Sequence, residues 1–273
     1  MSIKTPGSSS QVTALQGPWL YVVIPVFNES MNVDKLCQAL IDLKKLVSSE
    51  FNVQYVVVDD GSSDDTVTRF HRNGLGDSLI ILSHDFNQGP GAAFRTAFSY
   101  LAGKIQDDDL VLTMEGDNTS QLDILCSMIE KHHQGAEVVL ASPYAPGGEM
   151  AHVEWHRLLL SHAANILARW LLGLQGIHTL SSFYRLHSGH ILKKLQLNYG
   201  AQIIESNGFE WAVEMLVKLT RSGAHIVEVP MSLDFSARKG KTKMRILRTI
   251  RGYFRLFTKS QAYESISKEK SKS

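Results

Sequence analysis

Short apolar runs alternate with longer amphipathic stretches through the first half of the chain. Four β-branched runs predict strands at 20–24, 53–58, 79–82 and 110–114, and the helical patterns that follow them begin near Asn32, Asp64, Gly91 and Gln121. Near-continuous Val/Ile runs that alternate with helices are typical of a parallel sheet buried on both faces. The sequence therefore predicts an α/β fold with a mostly parallel central sheet flanked by helices.

The pattern changes in the second half. A fifth run at 137–141 ends the clean alternation, and an apolar helix is predicted at 155–174. A turn-rich stretch, an amphipathic helix at 208–221 and a strand at 225–229 follow, and a basic amphipathic helix at 244–258 closes the fold. The polar ends predict a disordered tail at 1–18 and a second tail at 260–273. We expect one domain between them, at 19–259.

The charges are unevenly distributed along the 273 residues. Nine of the 28 Lys and Arg lie between residues 238 and 259, where no Asp or Glu occurs. This local excess indicates an anionic partner such as a phosphate, a nucleotide or a membrane surface, although a solvated helix face would look the same. The two cysteines predict no disulfide and favour a reducing, cytoplasmic location. No signal peptide or membrane-spanning helix is expected, because the helix at 155–174 is interrupted by polar residues.

Acidic residues follow two of the predicted strands. Asp59 and Asp60 come after the second strand, and Glu115 and Asp117 flank Gly116 after the fourth. Ligands of parallel sheets bind beyond the carboxyl ends of the strands. Carboxylates there can accept hydrogen bonds from a ribose or a nucleobase, or bind a hard divalent cation. The alternatives are an ordinary helix cap after Asp59 and an Asx-turn around Asp117.

Other motifs are less informative or exclude a class of enzyme. The glycine-rich segment NQGPGAAFRTAF (87–98) opens a helix, so it predicts either an anion site or a tight structural turn. It matches neither a Walker loop nor a dinucleotide fingerprint. The eleven histidines lack the spacing of a zinc protease, and no serine lies in a nucleophile elbow, which argues against both kinds of hydrolase.

An ordered set of motifs carries a family resemblance. The motifs are VIPVFNES, VVVDDGSSDDT, NQGPGAA, MEGDNTS, SPYAPGGE, SSFYR, NGFEWAVEML and HIVEVPMSLDFSARKGKTKM. From about residue 21 to 257 the chain resembles the family-two inverting glycosyltransferases of GT-A fold. Within that family it is most similar to the polyprenyl-phosphate hexose synthases, which include dolichyl-phosphate mannose synthases.

The resemblance implies a role for individual residues. It implies donor-nucleotide contacts for Pro25, Asn28, Glu29, Asp59, Asp60, Gly61, Glu115 and Gly116. It also implies an Mg²⁺ or Mn²⁺ site at Asp117 and Glu115, although the family usually has Asp where Glu115 stands. Catalytic roles are implied for Asp117, Arg238 and Lys243, and acceptor contacts for Arg185 and Lys241.

The implied activity is transfer of a hexose from a GDP- or UDP-hexose to a polyprenyl phosphate, at the cytoplasmic face of a membrane and without nucleic acid. A phosphate acceptor has a second pKa of about 6 and needs no strong base. Pro143 and Thr179 stand where the lipid-phosphate synthases commonly carry Arg and Asp. Two alternatives therefore stay open: a hydroxyl acceptor, with Glu210 or Glu214 as the base, and a non-catalytic protein that binds nucleotide-sugars.

Overall fold

Nine strands form two sheets in the computed structural model, which describes residues 17–118, 120–151, 169 and 172–234. In chain order the strands are β1 (Trp19–Val26), β2 (Asn52–Asp59), β3 (Leu79–Ser83), β4 (Leu110–Thr113), β5 (Val138–Ser142), β6 (Glu149–Ala151), β7 (Arg185–Ser188), β8 (Ile226–Pro230) and β9 (Ser232–Asp234). Seven of them form the main sheet in the order β3-β2-β1-β4-β7-β5-β8, and β6 pairs with β9. Only β7 runs antiparallel to its neighbours in the main sheet.

Six described helices cover both faces of the main sheet. They are α1 (Ser30–Val47), α2 (Thr66–Arg72), α3 (Pro90–Leu101), α4 (Leu122–His133), α5 (Gly189–Tyr199) and α6 (Trp211–Arg221). Alternate residues of β1 enter two separate cores: Val22 and Ile24 pack with α1 and α4, whereas Tyr21 and Val23 pack with α3, α5 and α6. The central strands are therefore buried on both faces, which explains their near-continuous apolar sequence. The predicted α/β fold with a mostly parallel sheet is confirmed.

The stretch predicted as turn-rich was interpreted wrongly, because it contains β7 and α5. β7 has the sequence RLHS and is fully buried, but its arginine and histidine are not typical of a buried strand, so the sequence did not predict it. α5 had a readable signal: Ile191, Leu192 and Leu195 follow helical spacing, and the Ser188 hydroxyl caps the helix by accepting the Ile191 N–H at 3.2 Å.

Several predicted segments lie outside the described residues. These are the tails, the basic loop after residue 234, the helix at 244–258 and nearly all of the apolar helix at 155–174, within which Arg169 and Leu172 are helical. Within the described ranges, no helix combines the length and the apolar character needed to cross a bilayer.

One edge of the main sheet collects the chain segments that matter for binding. The carboxyl ends of β1, β2 and β4 lie there because these strands are parallel. The antiparallel β7 begins at the same edge, since Arg185 pairs with Thr113 near the end of β4. The loops after residues 26, 59 and 113 therefore meet the segment that leads into β7.

Candidate functional site at the carboxyl edge of the sheet

The loops after β1 and β2 are tied together by hydrogen bonds. The Asp60 N–H donates to the Val26 carbonyl at 2.8 Å. Asn28 has a left-handed backbone (φ 51°); its N–H donates to the Ser62 hydroxyl at 2.9 Å, and its Oδ1 accepts the Ser63 N–H at 2.9 Å. These two strand ends therefore form one connected polar surface.

Asp59 and Glu29 lie on this surface and differ in burial and in hydrogen-bond partners. Asp59 is 5 % exposed, and its Oδ1 accepts the Ser62 N–H at 3.1 Å. The half-buried Glu29 has its N–H bound to the Thr66 hydroxyl at 2.8 Å, and its Oε2 accepts from Asn32 Nδ2 at 2.6 Å. The predicted residues after β1 and β2 are thus brought together, with their positions fixed by backbone contacts.

Asp60 points into the protein and holds the loop that follows β3. Its Oδ1 lies 2.7 Å from His84 Nδ1 and accepts the Gln88 N–H at 2.9 Å, and its Oδ2 accepts the Gly89 N–H at 2.7 Å. His84 in turn lies 2.9 Å from the Thr96 hydroxyl. The donor contact predicted for Asp60 is not supported, because both carboxylate oxygens already bind this loop.

The glycines of this region allow two backbones to touch. Gly61 (φ +74°) lies so near Phe86 that an added Cβ would come within 2.6 Å of the Phe86 backbone. Side chains at Gly89 and Gly91 would meet carbonyl oxygens of Asn207 and Ser206 at 2.4 and 2.1 Å. The glycine-rich segment is therefore a close-packed contact, and the structural alternative for it is the better description.

The loop after β4 carries the acidic pair Glu115 and Asp117. Glu115 is held by two hydrogen bonds: its Oε1 accepts the Phe183 N–H at 3.0 Å, and its Oε2 accepts from the Ser120 hydroxyl at 2.9 Å. Gly116 packs against β1, where an added Cβ would lie 2.9 Å from Val26 Cγ1. The pair therefore lies directly beside the end of β1.

The electrostatics of the pair fit a divalent cation. Burial raises the pKa of Glu115 above its ordinary range, and the negative charge of Asp117 raises it further. A carboxylate has about four lone-pair sites, so the hydrogen bonds from Phe183 and Ser120 leave Glu115 able to bind a cation as well. Two carboxylates supply the oxygen ligands that Mg²⁺ or Mn²⁺ prefers. No cluster of three or more His, Cys, Asp or Glu side chains that could hold a metal ion occurs in the described ranges.

Arg185 does not face the open edge. It is fully buried, and its guanidinium donates to the carbonyls of Ser182, Ala212 and Leu180 at 2.7, 2.8 and 2.9 Å. Its Cζ also lies 5.6 Å from the centre of the Trp211 ring. The predicted acceptor contact is not supported, because this arginine fastens the start of β7 to α6.

The two proposed base residues differ in their surroundings. Glu214 is fully buried; its oxygens accept the N–H groups of Glu205 and Ser206 at 2.9 and 2.8 Å, and it pairs with Lys218 Nζ at 2.6 Å. Both carboxylate oxygens of Glu214 are therefore occupied by contacts inside the protein. Glu210 is half-buried at the start of α6, and its Oε2 is a buried atom with no hydrogen-bond partner among the described residues.

Two positions that depart from the family pattern lie at the same edge. Pro143 follows the end of β5, in a turn closed by the Ala145 N–H to the Ser142 carbonyl at 3.4 Å. Thr179 is 1 % exposed, and its N–H donates to Glu228 Oε1 at 2.7 Å. Arg238, Lys241 and Lys243 lie outside the described residues, and their roles stay predictions.

Comparison with known proteins decides the family. The model for glycosyl transferase family 2 matches residues 21–195. The chain belongs to this family. The match runs from β1 into α5, so it includes Asp59, Glu115, Asp117 and Arg185. The predicted resemblance to family-two glycosyltransferases is confirmed, and the protein is a glycosyltransferase.

Characterised relatives of this family-2 glycosyltransferase cover most of its length. A polyprenol monophosphomannose synthase of Mycolicibacterium smegmatis is 28 % identical over 82 % of the chain and 80 % of its own. An undecaprenyl-phosphate mannosyltransferase of Micrococcus luteus is 29 % identical over 81 % and 86 %. A dolichol-phosphate mannosyltransferase of Pyrococcus furiosus is 26 % identical over 84 % of the chain and 62 % of its own.

Solved structures confirm the GT-A fold of the family-2 glycosyltransferase. Glucosyl-3-phosphoglycerate synthase from Mycobacterium tuberculosis, in complex with Mg²⁺ and uridine-diphosphate, superposes with a TM-score of 0.61 at 15 % identity over 89 % of this chain and 79 % of that one. The same enzyme with Mn²⁺, uridine-diphosphate and phosphoglyceric acid gives 0.59 at 15 % identity, covering 90 % and 78 %.

Proposed function

We propose that this protein transfers a hexose from a nucleoside diphosphate-hexose to a polyprenyl phosphate, with inversion at the anomeric carbon. The observation that carries the proposal is the pair Glu115 and Asp117, held beside the ends of β1 and β2 in a family-2 glycosyltransferase. Relatives that span most of the chain are named as polyprenyl-phosphate mannose transferases, which supports the same class of acceptor.

The nucleoside would be held by the loops after β1 and β2. The half-buried Pro25 and the exposed Asn28 border this surface, and Asp59 keeps an oxygen for which no hydrogen bond is described. A carboxylate in this position is suited to accept hydrogen bonds from ribose hydroxyls or a nucleobase N–H. Gly61 would contribute by keeping the backbone near Phe86 free of a side chain.

The diphosphate would lie against Glu115 and Asp117 with a divalent cation, either Mg²⁺ or Mn²⁺. When bound, such an ion offsets the charge that develops on the departing diphosphate. The two side chains would hold the ion, and the Phe183 N–H and the Ser120 hydroxyl fix the orientation of the Glu115 carboxylate. Lys and Arg of the segment 238–243 would neutralise the remaining phosphate charge.

The acceptor phosphate is its own nucleophile in this proposal. With a second pKa of about 6 it is already largely ionised at neutral pH, so no protein base is needed. The ion pair between Glu214 and Lys218 agrees with a reaction that needs no protein base. The basic helix predicted at 244–258 would bring the enzyme to an anionic lipid surface, where the acceptor resides.

A donor and acceptor matrix tests the proposal. GDP-mannose, GDP-glucose, UDP-glucose and UDP-galactose are each incubated with Mg²⁺ or Mn²⁺, with and without a short polyprenyl phosphate. We expect rapid sugar transfer from one donor only when the lipid phosphate is present, and a product of opposite anomeric configuration by NMR. Transfer to a simple alcohol but not to the lipid phosphate would establish a hydroxyl acceptor. Donor binding without any turnover would indicate a binding protein.

Membrane association is tested separately. We expect the protein to float with anionic liposomes at low salt and to be released at moderate salt, because arginine attraction to the lipid is screened. Absence of binding at low salt would contradict the membrane part of the proposal and leave the transfer reaction intact.

A further inference from the structure

Glu210 carries a buried carboxylate oxygen that no described residue satisfies. Its Oε2 is buried and lacks a hydrogen-bond partner among the described residues. The carboxyl group folds back over Gly208, where an added Cβ would lie 2.3 Å from Oε2. A buried carboxylate oxygen without a donor is costly. A donor supplied by a bound ligand would remove that cost.

The segment around Glu210 lies next to the candidate donor site. Phe209 stacks on Phe183, with ring centres 5.8 Å apart and an interplanar angle of 22°. The N–H of Phe183 donates to Glu115 Oε1 at 3.0 Å, so one aromatic residue separates Phe209 from the proposed metal ligand. Glu210 is therefore positioned at the edge of the sheet where the diphosphate is proposed to bind.

The chain on both sides of Glu210 is firmly anchored. On one side the Asn207 carbonyl accepts the Gly91 N–H at 2.8 Å, and Glu214 holds the N–H of Ser206. On the other side Trp211 is fully buried and stacks on Phe94, with ring centres 4.0 Å apart. A side chain supported in this way is pre-organised for one ligand geometry.

Only some groups of the two substrates can donate a hydrogen bond to Glu210 Oε2. The donor diphosphate and the acceptor phosphate are anionic hydrogen-bond acceptors, which a carboxylate repels. The hexose offers neutral hydroxyl groups, which donate to carboxylates and form short, strong hydrogen bonds. A sugar hydroxyl is therefore the group that matches Glu210 Oε2.

We propose that Glu210 accepts a hydrogen bond from one hydroxyl of the transferred hexose and so determines which hexose is used. This role rests on the proposed function, because it assumes a nucleoside diphosphate-hexose donor. Glu210 is a specificity residue of the donor-sugar site, and it leaves the binding of the nucleoside diphosphate unchanged.

Monodeoxy donors test this role. The accepted nucleotide-hexose is compared with its 2-, 3-, 4- and 6-deoxy analogues in the wild type, in Glu210→Ala and Glu210→Gln, and in the control Glu130→Gln, which changes an exposed glutamate on α4. We expect one deoxy position to reduce kcat/KM by about 10- to 100-fold in the wild type and in the control. In Glu210→Ala, removal of that same hydroxyl should cause no further reduction of kcat/KM, whereas the reductions at the other positions should stay unchanged.

Two results would overturn the inference. One is an equal penalty at every deoxy position in the wild type and in Glu210→Ala. The other is a loss of kcat in Glu210→Gln that is the same for all donors and removes the acidic limb of the pH profile, which would make Glu210 a general base.

A binding measurement separates this inference from the proposed function. Calorimetry compares the nucleoside diphosphate with its hexose conjugate; the gain in affinity due to the hexose should fall in Glu210→Ala, and the affinity for the diphosphate should not. Failure of the wild type to transfer sugar would refute the proposed function, and this comparison would still decide the role of Glu210. Thermal unfolding of the more conservative Glu210→Gln variant identifies any loss that is due to misfolding.

Discussion

Glu115 is half-buried and Glu214 is fully buried, and the two carboxylates differ in the charges that lie beside them. Glu214 has a lysine at 2.6 Å and two backbone N–H donors, so its charge is balanced inside the protein. Glu115 has another acid, Asp117, as its neighbour, and burial together with that charge raises its pKa. An acid paired with a base is part of the framework, whereas an acid beside another acid can take up a proton or bind a cation, and we propose the cation for Glu115 and Asp117.

The largest effect is expected at the two neighbouring acids, Glu115 and Asp117. We expect Asp117→Ala to reduce transfer by about a thousandfold or more, because loss of a metal ligand removes several kcal/mol of charge stabilisation. Glu115→Asp should retain much of the activity, since it keeps the carboxylate. Steady-state kinetics with a titration of Mg²⁺ measures both effects.

The control for this test is Asp108→Ala, which removes an exposed acid before β4, at the opposite edge of the sheet. It should leave the rate unchanged. Full turnover of the wild type in excess EDTA would show that the acidic pair does not act through a cation.

At the ion pair of Glu214 and Lys218 we expect a large effect on the free energy of unfolding. Lys218→Met leaves Glu214 buried and uncompensated, which typically costs about 3–5 kcal/mol of unfolding free energy. Lys193→Met is the matched control, because it removes a lysine paired with Asp107 at 2.8 Å on the surface. An exposed pair contributes only about 0–1 kcal/mol. Urea unfolding compares the two variants; equal losses would contradict the distinction.

Arg185 is a buried basic residue whose charge, like that of Glu214, is balanced by contacts inside the protein. Arg185→Met should cost about 3 kcal/mol of unfolding free energy, since three buried carbonyls lose their donor at about 1 kcal/mol each. At a temperature where the variant stays folded, its KM for the acceptor should match that of the wild type. A stable variant with a strongly raised acceptor KM would instead support the role implied by the family resemblance.

The last test concerns His187, the fully buried neighbour of Arg185 on β7. Burial lowers its pKa to about 3, and the positive charge of Arg185 adds to this shift. Below about pH 6.5 the unfolded chain binds a proton that the folded chain refuses, so stability present above that pH is lost as the pH falls toward 3. The slope contributed by this group is at most about 1.4 kcal/mol per pH unit.

Unfolding of the wild type and of His187→Leu at several pH values between 4 and 7 isolates this contribution. The variant should lose less stability than the wild type over that range. Parallel curves would mean that His187 takes up its proton in the folded protein as readily as in the unfolded chain.

The sequence allowed the parallel half of the fold and the acidic strand ends to be predicted, because both have local signals. β1 to β4 are mostly apolar runs; Asp59 ends β2, and Glu115 and Asp117 follow β4. β7 could not be found in the same way, since the burial of Arg185 and His187 depends in part on the carbonyls of Ala212 and Val111, which lie far away in the chain. The inward direction of Asp60 likewise depends on His84 and Gly89, which a reading of local sequence does not connect to it.

The close contact of Gly89 and Gly91 with Asn207 and Ser206 affects how mutational data on this enzyme should be interpreted. Any side chain at either glycine would collide with a carbonyl oxygen, so nearly every substitution there will inactivate the enzyme. A saturation scan would then show a tract of intolerance in a glycine-rich loop at a helix start, the profile usually assigned to phosphate binding. In this protein the same profile would report on the fit of one backbone against another. Only a measurement of ligand affinity in a folded variant distinguishes the two.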